Sequence, residues 1–380
     1  MVEDIPLPGR ECSEALGVFE ATAGKTLSVQ TMLHRSKRKW HELDLLCRAG
    51  VGIEPIAPAV CRTLREIVGA DAASLFWMDA QQMPAGLFHD NAADSALDLF
   101  VNEYDRLFTG TSEINASQIA AMNGRPVGQL MNPERSYFRS NTFNLLVRAS
   151  GHFHTLDLRV DVAKRARAVV MLFREEPNPF DEIDASYLSQ ALPYLQRAIE
   201  GQSADGRWER SYPGGHMLVD RSGTRLLTLS AEANEFLKAC TIVGQNVRLV
   251  GPTTMPPRFA QDLCRRLESS SMAQDVLEVP GGRLLLTATL MHPPVADATA
   301  QVLISLEMEQ PKRLKAIENL LDLPLSPLQR SIALVAATGG TRADCLTSAG
   351  TSKEALKKHL ATIYRTVGVT SWEELAKALQ

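Results

Sequence analysis

Hydrophobic and polar positions follow a helical period in some stretches of the chain and a strand period in others. Apolar residues recurring every three or four positions predict a helix over about residues 27–46 and a second over 56–68. Residues 72–78 are apolar at successive positions, which is typical of a central strand buried on both faces. Residues 155–162 alternate strictly, as in a half-buried strand, and 168–173 read as another buried strand.

Shorter sequence patterns predict the remaining elements of this first region. A polar turn precedes a partner strand near residues 86–88, and a loop at 178–181 precedes a long helix over about 182–200. Between the two strand pairs we expect a mobile middle stretch. Helix, strand pair, middle, strand pair and helix together predict an α+β sheet flanked by helices.

A second region opens with a hairpin whose turn reads Asp220-x-x-Gly223. A helical stretch follows at 230–237, and two late strands are predicted at 283–290 and 301–306.

Turn-forming residues mark two boundaries in the chain. A Gly/Ser-rich stretch at 201–206 and the dipeptide Gln310-Pro311 interrupt the periodic patterns. They predict three regions, 1–205, 206–311 and 312–380.

The last region is predicted to open with a short linker helix, from about Leu314 to Leu321, that Pro324 stops. Four further helices joined by tight turns are predicted after it. Ser326 is placed as an N-cap, with Pro327 at the first helical position and Gln329 completing a capping box. The four helices are expected over 328–337, from Thr341 to near Gly350, over 353–367, and from Ser371 onward. Four helices in under about 60 residues are typical of a helix-turn-helix layout.

The third of these helices has two different faces. Leu356, Leu360, Ile363 and Val367 form an apolar stripe that is expected to face the core. The basic residues of the helix lie away from that stripe.

The distribution of charge along the chain is more informative than the overall composition. The 380 residues are 45% hydrophobic and 22% charged, with a net charge of −4 that makes no general case for nucleic acid. Residues 325–380, however, hold seven Lys/Arg against four acids and are therefore +3, which leaves −7 for the rest of the chain. A basic end on an acidic body favours a nucleic-acid interface at that end.

Cysteine usage and hydropathy predict a cytoplasmic protein. The six cysteines form no CxxC pair and no His-spaced set, which argues against structural zinc and for a reducing compartment. No run of about 18 apolar residues predicts a membrane span, and the acidic N-terminus lacks the pattern of a signal peptide. We expect no metal, no cofactor and no membrane partner.

The stretch LSPLQRSIALVAATGGTRADCLTSAGTSKEALKKHLATIYRTVGVTSWEEL resembles a LuxR-type helix-turn-helix domain over its whole length. The L-S-P start, the Gly339 turn, the L-K-x-H-L-x-x-I-Y run and the V-G-V-x-S finish fall in the family's spacing. Four positions depart from its usual residues: Leu328, Gln329, Ala343 and Ala355.

The resemblance implies binding to double-stranded DNA through the third helix. Lys357, Lys358 and Ala361 occupy the positions closest to base edges, while Lys353 and Arg365 would hold phosphates. The full predicted set also includes neighbouring positions: Thr341, Arg342 and Thr362. A merely solvated charged helix face is the alternative.

The first two regions resemble sensory modules. AVVMLFREEPNPFDEIDASYLSQALPYLQRAI looks like the last strand, short loop and final helix of a GAF domain, a likeness that covers about 40–200. HMLVDRSGTRLLTLSAEANEFL is similar to the opening of a PAS domain, over about 212–310. The predicted fold is thus a GAF-like then PAS-like α+β sensory region followed by an all-α four-helix domain.

A ligand cavity is predicted in the GAF-like region. His152 and His154 are placed on one face of a strand, in phase with Leu156 and Leu158, although no third ligand suggests a metal. The candidate ligand-binding residues are Trp77, Phe88, Tyr137, Phe143, His152 and His154. Core packing and structural histidines are the alternatives.

These patterns predict a DNA-binding transcriptional regulator whose sensory region responds to a small molecule or a partner. A homodimer is expected from the family's habit and from an apolar seam through Ile183, Tyr187, Ala191, Leu195 and Ala198–Ile199. Pro193 is expected to kink this helix, and packing on the protein's own sheet explains the seam about equally well. The alternative is a signalling adaptor whose C-terminal helices bind protein. No GxSxG, HExxH or paired-carboxylate set occurs in a supporting context, so no enzymatic activity is expected.

Overall fold

The computed structural model describes residues 37–201, 208–210, 213–251, 253–292, 299–348 and 350–379. Within these residues, an α/β part rich in antiparallel sheet precedes a helical C-terminal part, as predicted. The first ten residues of the helix expected over 27–46, and the predicted boundary near 205, lie outside the described residues.

The first region is a four-stranded antiparallel sheet with helices on both faces. Its helices are α1 (37–47), α2 (Ala57–Val68), α3 (Asp94–Leu107), α4 (Ala116–Ala121), α5 (Glu182–Ser189) and α6 (Leu192–Glu200). Its strands are β1 (Ala72–Met78), β2 (Pro84–Asp90), β3 (His154–Val162) and β4 (Arg165–Arg174).

The strand order is β2-β1-β4-β3, which places β1 at the centre. All seven residues of β1 are buried, as its unbroken apolar pattern predicts. Because side chains alternate along a strand, Leu75 packs towards α2, α5 and α6, whereas Phe76 packs towards α3. The sheet therefore separates two hydrophobic clusters.

The middle of the first region is helical. It contains α3, α4 and three short helical turns between residues 137 and 150, here called segment 137–150. Asn115 and Gln118 form a capping box that starts α4, a signal that was present in the sequence. These helices were not predicted, because buried aromatic contacts, rather than a regular period, hold this part together.

The helix predicted over 182–200 is two helices. α5 ends at Ser189 and α6 begins at Leu192, since Pro193 lacks the N–H that would continue the ladder. The break divides the predicted seam. Leu195 is buried against the protein's own core, whereas Ile183 is 66% exposed and Tyr187 is exposed.

The second region is built around another antiparallel sheet. Its helices are α7 (Ala231–Ala239) and α8 (Arg258–Arg266). Its strands are β5 (Trp208–Arg210), β6 (Gly215–Asp220), β7 (Leu226–Leu229), β8 (Met272–Val279), β9 (Gly282–Met291) and β10 (Gln301–Pro311). The order β7-β6-β10-β9-β8, with β5 also on β10, repeats the plan of the first sheet, because the leading strand again lies beside the last one.

The predicted hairpin of the second region is present. The Asp220 carboxylate accepts hydrogen bonds from the backbone N–H groups of Thr224 and Arg225, at 2.8 and 2.9 Å. Gly223 has a φ of +72°, a left-handed conformation that favours glycine. Strand β8 was not predicted, because Gln274, Asp275 and Glu278 interrupt its apolar pattern at the sheet edge.

Within the described residues, the C-terminal region contains five helices, the first of which begins at Lys312. They are α9 (Lys312–Leu321), α10 (Pro327–Ala337), α11 (Arg342–Ser348), α12 (Lys353–Val367) and α13 (Trp372–Leu379). The predicted capping box of Ser326 and Gln329 starts α10. The Trp372 indole N–H donates to the Gly340 carbonyl at 3.0 Å, which fixes α13 against the α10–α11 turn. No described helix is long and apolar enough to span a membrane.

The second region covers an edge of the first sheet. Leu87 N–H in β2 donates to the Thr241 carbonyl at 3.0 Å, and Val243 N–H donates to the Ala85 carbonyl at 3.1 Å. Residues 241–243 thus lie along β2 and satisfy backbone groups that would otherwise form an open edge. They begin a stretch, here called segment 241–249, that continues along α3.

A second contact between these regions involves two carboxyl groups. Gly281 N–H, in the β8–β9 turn, donates to the Pro55 carbonyl at 3.1 Å. Burial first, and then the negative charge of Glu54, raise the pKa of Glu278 from 4.5 to about 7. Arg283 opposes this rise only in part, because its guanidinium binds Glu309 at 2.7 Å.

Glu278→Gln is expected to stabilise the protein at pH 8 but not at pH 5. The folded-state pKa of about 7 lies above the ordinary value of 4.5, so the folded chain binds this proton more tightly and its stability falls as the pH rises through 7. Thermal unfolding of both proteins at the two pH values measures the difference. Glu268→Gln, at an exposed position, is the control, and an equal effect of Glu278→Gln at both pH values would contradict the assignment.

Candidate nucleic-acid interface and buried cavity

Helix α12 is defined by signals at both of its ends. The Ser352 hydroxyl accepts from Ala355 N–H at 3.2 Å. Gly368, with a φ of +80°, ends the helix and donates its N–H to the Tyr364 carbonyl at 2.8 Å. Leu356, Leu360 and Ile363 of the predicted stripe are buried, and Val367 is half-buried.

The opposite side of α12 is exposed and basic. This basic face consists of Lys353, Lys357, Lys358, Ala361 and Arg365, all of which are exposed. None of its four cationic side chains forms an ion pair with a carboxylate of the described residues. These charges are therefore available to an external anion.

The other predicted DNA-binding residues are tied to the helices. Thr362 is half-buried, and its hydroxyl donates to the Lys358 carbonyl at 3.4 Å. Thr341 donates from its N–H and its hydroxyl to the Asp344 carboxylate, at 2.7 and 2.8 Å, at the start of α11. The exposed Arg342 donates to the Tyr364 hydroxyl at 3.4 Å, which links α11 to α12.

One basic residue of the tail is not at the surface. Arg330 in α10 has a fully buried side chain, and its guanidinium lies 3.3 Å from the carboxylate of Glu42 in α1. The guanidinium also donates to the carbonyls of Leu321 and Leu323, at 2.9 and 3.2 Å. This contact, here called the Arg330 joint, connects the first region to the helical region.

Further charges keep the Arg330 joint ionised. Burial by itself would raise the pKa of Glu42, but a hydrogen bond from Lys39 and the charges of Lys39 and Arg330 lower that pKa overall. Lys39 lies 2.7 Å from Glu42 and 2.9 Å from Glu66 in α2.

The hydrophobic core continues across the joint. One cluster includes Leu43 and Leu64 of the first region together with Leu314, Ile332 and Leu375 of the helical region. The helical region thus shares one hydrophobic cluster with the helices that cover one face of the first sheet.

A buried cavity lies on the other face of that sheet. The space open to the centre of a water molecule is about 50 Å³. Its walls come from β1, β2, β3, β4, α3 and segment 137–150, through residues 74, 76, 87, 89, 92, 96, 97, 100, 114, 115, 130, 137, 142, 146, 147, 150, 152, 155, 171 and 173. The lining is mostly apolar, with a few polar side chains, as in sites for small molecules.

The structure places two of the six predicted ligand residues at this cavity, Tyr137 and His152. Phe143 packs in the aromatic cluster behind the wall, 5.5 Å from the ring of Tyr137. Trp77 and Phe88 belong to the cluster on the opposite face of the sheet. Trp77 packs over Gly86, where any side chain would collide with the indole.

The expectation that the two histidines share a strand face was wrong. His152 precedes β3, stacks on Phe173 with ring centroids 5.7 Å apart and lines the cavity. His154 is the first residue of β3 and alternates with Leu156, which lies in the other cluster. The strand begins later than expected, so the two side chains separate.

The sequence did not predict six of the polar cavity residues: Ser74, His89, Asn115, Thr142, Ser150 and Thr155. Strand periodicity could have identified His89. It lies two residues after Leu87 in the same strand, and residues two apart in a strand lie on the same face of the sheet. The sequence predicted Thr155 within a strand but did not predict which face of the sheet its side chain occupies.

Thiol and metal chemistry receive no support from the geometry. The five described cysteines, at 47, 61, 240, 264 and 345, are free and buried, and burial raises the pKa of each thiol. Within the described residues, no group of three or more His, Cys, Asp or Glu side chains could hold a metal ion.

Comparisons with known proteins find weak likenesses. No family model matches the chain, and no curated protein matches its sequence. Among solved structures, the VqmA dimer of Vibrio cholerae, described as a LuxR-type receptor, is 14% identical with a TM-score of 0.19, covering 44% of this chain and 82% of that one. A VqmA–ligand–DNA complex is 13% identical with a TM-score of 0.25, covering 44% and 83%. The DhaR(N)–DhaL complex of E. coli is 12% identical with a TM-score of 0.20, covering 73% and 89%. These scores carry no argument about fold or function.

Arg330→Met is expected to destabilise the full chain by about 3 kcal/mol, because it leaves the buried Glu42 and two carbonyls without the guanidinium. The double variant Glu42→Leu/Arg330→Met should recover most of this loss, since no buried charge is then stranded. Urea unfolding monitored by fluorescence measures both.

The exposed ion pair of Arg125 and Glu182 provides the matched control. Arg125→Met should cost under about 1 kcal/mol. An Arg330→Met variant no less stable than Arg125→Met would show that the joint does not hold the regions together.

Proposed function

We propose that this protein is a DNA-binding transcriptional regulator whose C-terminal helices read DNA and whose first region responds to a small molecule or a partner. The observation that carries the proposal is the basic face of α12, which is exposed and unpaired among the described residues, opposite a buried apolar stripe. An α-helix about 10–12 Å across fits the major groove, which is about 12 Å wide. The proposal assigns no catalytic activity.

The residues of the basic face have two roles in this proposal. Lys357, Lys358 and Ala361 meet base edges, and Lys353 and Arg365 bind phosphates. Arg342 would add a phosphate contact from α11, where its bond to the Tyr364 hydroxyl holds it beside α12. Arg330 contributes no DNA contact, since its side chain is fully buried.

The sensory assignment rests on the first region. Its helix-flanked sheet and cavity support a GAF-like module, and the second sheet supports a PAS-like module, where the sequence resemblances lie. The Arg330 joint attaches the DNA-binding helices to the first region, so a change of packing there would alter how they are presented.

A homodimer in the cytoplasm completes the proposal. The exposed Ile183 and Tyr187 of α5 support a second copy packing on this helix. Two basic faces would then meet half-sites about one helical turn apart.

Lys357→Ala and Lys358→Ala in the full chain should each weaken binding to a target DNA by about 5- to 150-fold, the equivalent of about 1–3 kcal/mol. Genomic fragments captured by the protein supply the target, and fluorescence anisotropy across a salt series measures affinity. The logarithm of affinity is expected to fall linearly with the logarithm of salt concentration. Lys377→Ala, on the exposed side of α13, should leave affinity within about twofold.

The adaptor hypothesis makes the opposite prediction. If the C-terminal helices bind protein, the wild type captures no DNA even at low salt, and the lysine variants behave like Lys377→Ala. That result would overturn the DNA-binding proposal.

A further inference from the structure

Buried polar atoms without partners gather at the cavity. Among the described residues, ten buried side-chain nitrogen or oxygen atoms have no hydrogen-bond partner, and four of them belong to cavity-lining residues. They are Nε2 of His89, the hydroxyl of Tyr137, Nδ1 of His152 and Oγ1 of Thr155. Because a buried polar atom left unsatisfied costs about 1–3 kcal/mol, their grouping indicates that a bound molecule completes the site.

The bonding role of His152 follows from its other nitrogen. Nε2 of His152 lies 3.4 Å from the Asn91 carbonyl, which can only accept, so Nε2 carries the proton. Nδ1 of a neutral imidazole is then an acceptor. His152 is 3% exposed, so this acceptor is shielded from bulk water.

His89 has the opposite role, that of a hydrogen-bond donor. Its Nδ1 bonds the Ser74 hydroxyl, and when that hydroxyl donates, Nε2 carries the proton and is a donor. Burial first, and then the neighbouring His152, lower the pKa of His89 to about 3, so its ring stays neutral. The hydroxyls of Tyr137 and Thr155 lie side by side and can each donate or accept.

No charged partner faces the cavity. Its twenty lining residues include no Asp, Glu, Lys or Arg. Two buried carboxylates lie outside this lining: Glu113 accepts from the N–H and the hydroxyl of Thr142 at 2.7 and 2.6 Å, and Asp157 accepts from Leu130 N–H at 2.7 Å through one oxygen, while its other oxygen has no hydrogen-bond partner. Burial raises the pKa of Asp157, which favours its neutral form. An ionic ligand would therefore lose its hydration without gaining a counter-charge.

We propose that the cavity binds a small uncharged molecule with an apolar body and adjacent hydrogen-bond donor and acceptor groups. The acceptor of the site is His152 Nδ1, and its donors come from His89, Tyr137 and Thr155. The apolar body packs against Phe76, Phe100 and the other apolar walls. Binding itself follows from the cavity alone; only its regulatory meaning rests on the proposed function.

The second region is placed to respond to this ligand. Leu87 of the cavity wall donates its N–H to Thr241, and its carbonyl accepts from the Thr241 hydroxyl. Helix α3, which supplies three lining residues, is held by Asn102, which donates to the Val247 carbonyl at 2.9 Å, and by Asp98, which accepts from Leu249 N–H at 2.7 Å. Occupying the cavity orders a wall on which segment 241–249 is docked.

The test compares probes of similar size and different charge on the full chain. Phenol and benzamide are neutral, benzoate is anionic and benzylammonium is cationic. At about 10 mM, ten times a millimolar Kd, the neutral probes should raise the melting temperature and the charged ones should not. The neutral probes should also shift the imidazole ¹⁵N resonances of His89 and His152 and slow amide exchange in segment 241–249.

Two hydroxyl deletions locate the binding. Thr155→Val and Tyr137→Phe should each weaken benzamide binding about tenfold, because each removes one hydrogen-bonding group. Thr63→Val is the matched control, since Thr63 is also buried but bonds the Ala59 carbonyl within α2, on the other side of the sheet. It should leave benzamide binding unchanged.

Several outcomes would overturn the inference: stabilisation by benzoate or benzylammonium equal to that by benzamide, no binding of either neutral probe, or benzamide binding that Thr155→Val and Tyr137→Phe leave intact. DNA affinity measured on the same samples separates the two proposals. Intact DNA binding without probe binding removes the ligand class alone, whereas probe binding without DNA binding removes the regulator alone.

Discussion

A buried guanidinium needs a counter-charge and hydrogen-bond acceptors close to it. The relative position of the first and last regions follows from where Arg330 finds these partners. Its partners are Glu42 of α1 and two carbonyls at the end of α9. Neither the first region nor the helical region satisfies this group alone, and removing one partner strands the other in a poorly solvated site. Lys39 and Glu66 extend the network to α2. The joint therefore specifies one relative position of the two regions, and the hydrophobic cluster packs around it.

The central strand β1 lies between the joint and the cavity. Phe76 faces the cavity, whereas Leu75 and Trp77 face the cluster that continues into the C-terminal helices. The second region holds the same sheet from its edge, through segment 241–249. A molecule in the cavity thus presses on a sheet that the second region contacts at its edge and that the helical region reaches through α1 and the shared cluster. Close-packed interiors transmit such displacements rather than absorbing them, so this sheet is the physical route between the two proposed activities.

Local signals predicted local structure well where one short-range rule acts without competition. Helix α12 has the predicted bounds, because Ser352 caps it, Gly368 ends it and its stripe has a helical period. The misses have two kinds of cause, tertiary packing and a local chain break. Strand β8 carries polar residues at a sheet edge, α5 and α6 divide at Pro193, and α3 and α4 are held by aromatic packing across the sheet. In each case a tertiary contact or a chain break decided the outcome.

The sequence by itself determined the elements and the chemistry of the α12 surface, because caps, breakers and periodicity act within about one helical turn. It also determined that positive charge gathers at one end of an acidic chain. Only the tertiary structure decided which of those charges stay exposed: Arg330 is buried against a residue 288 positions away, and the basic face of α12 remains free of ion pairs among the described residues. The cavity was decided in the same way. Its four unpartnered polar atoms come from β2, β3 and the turns before β3, and only strand pairing brings such distant residues together.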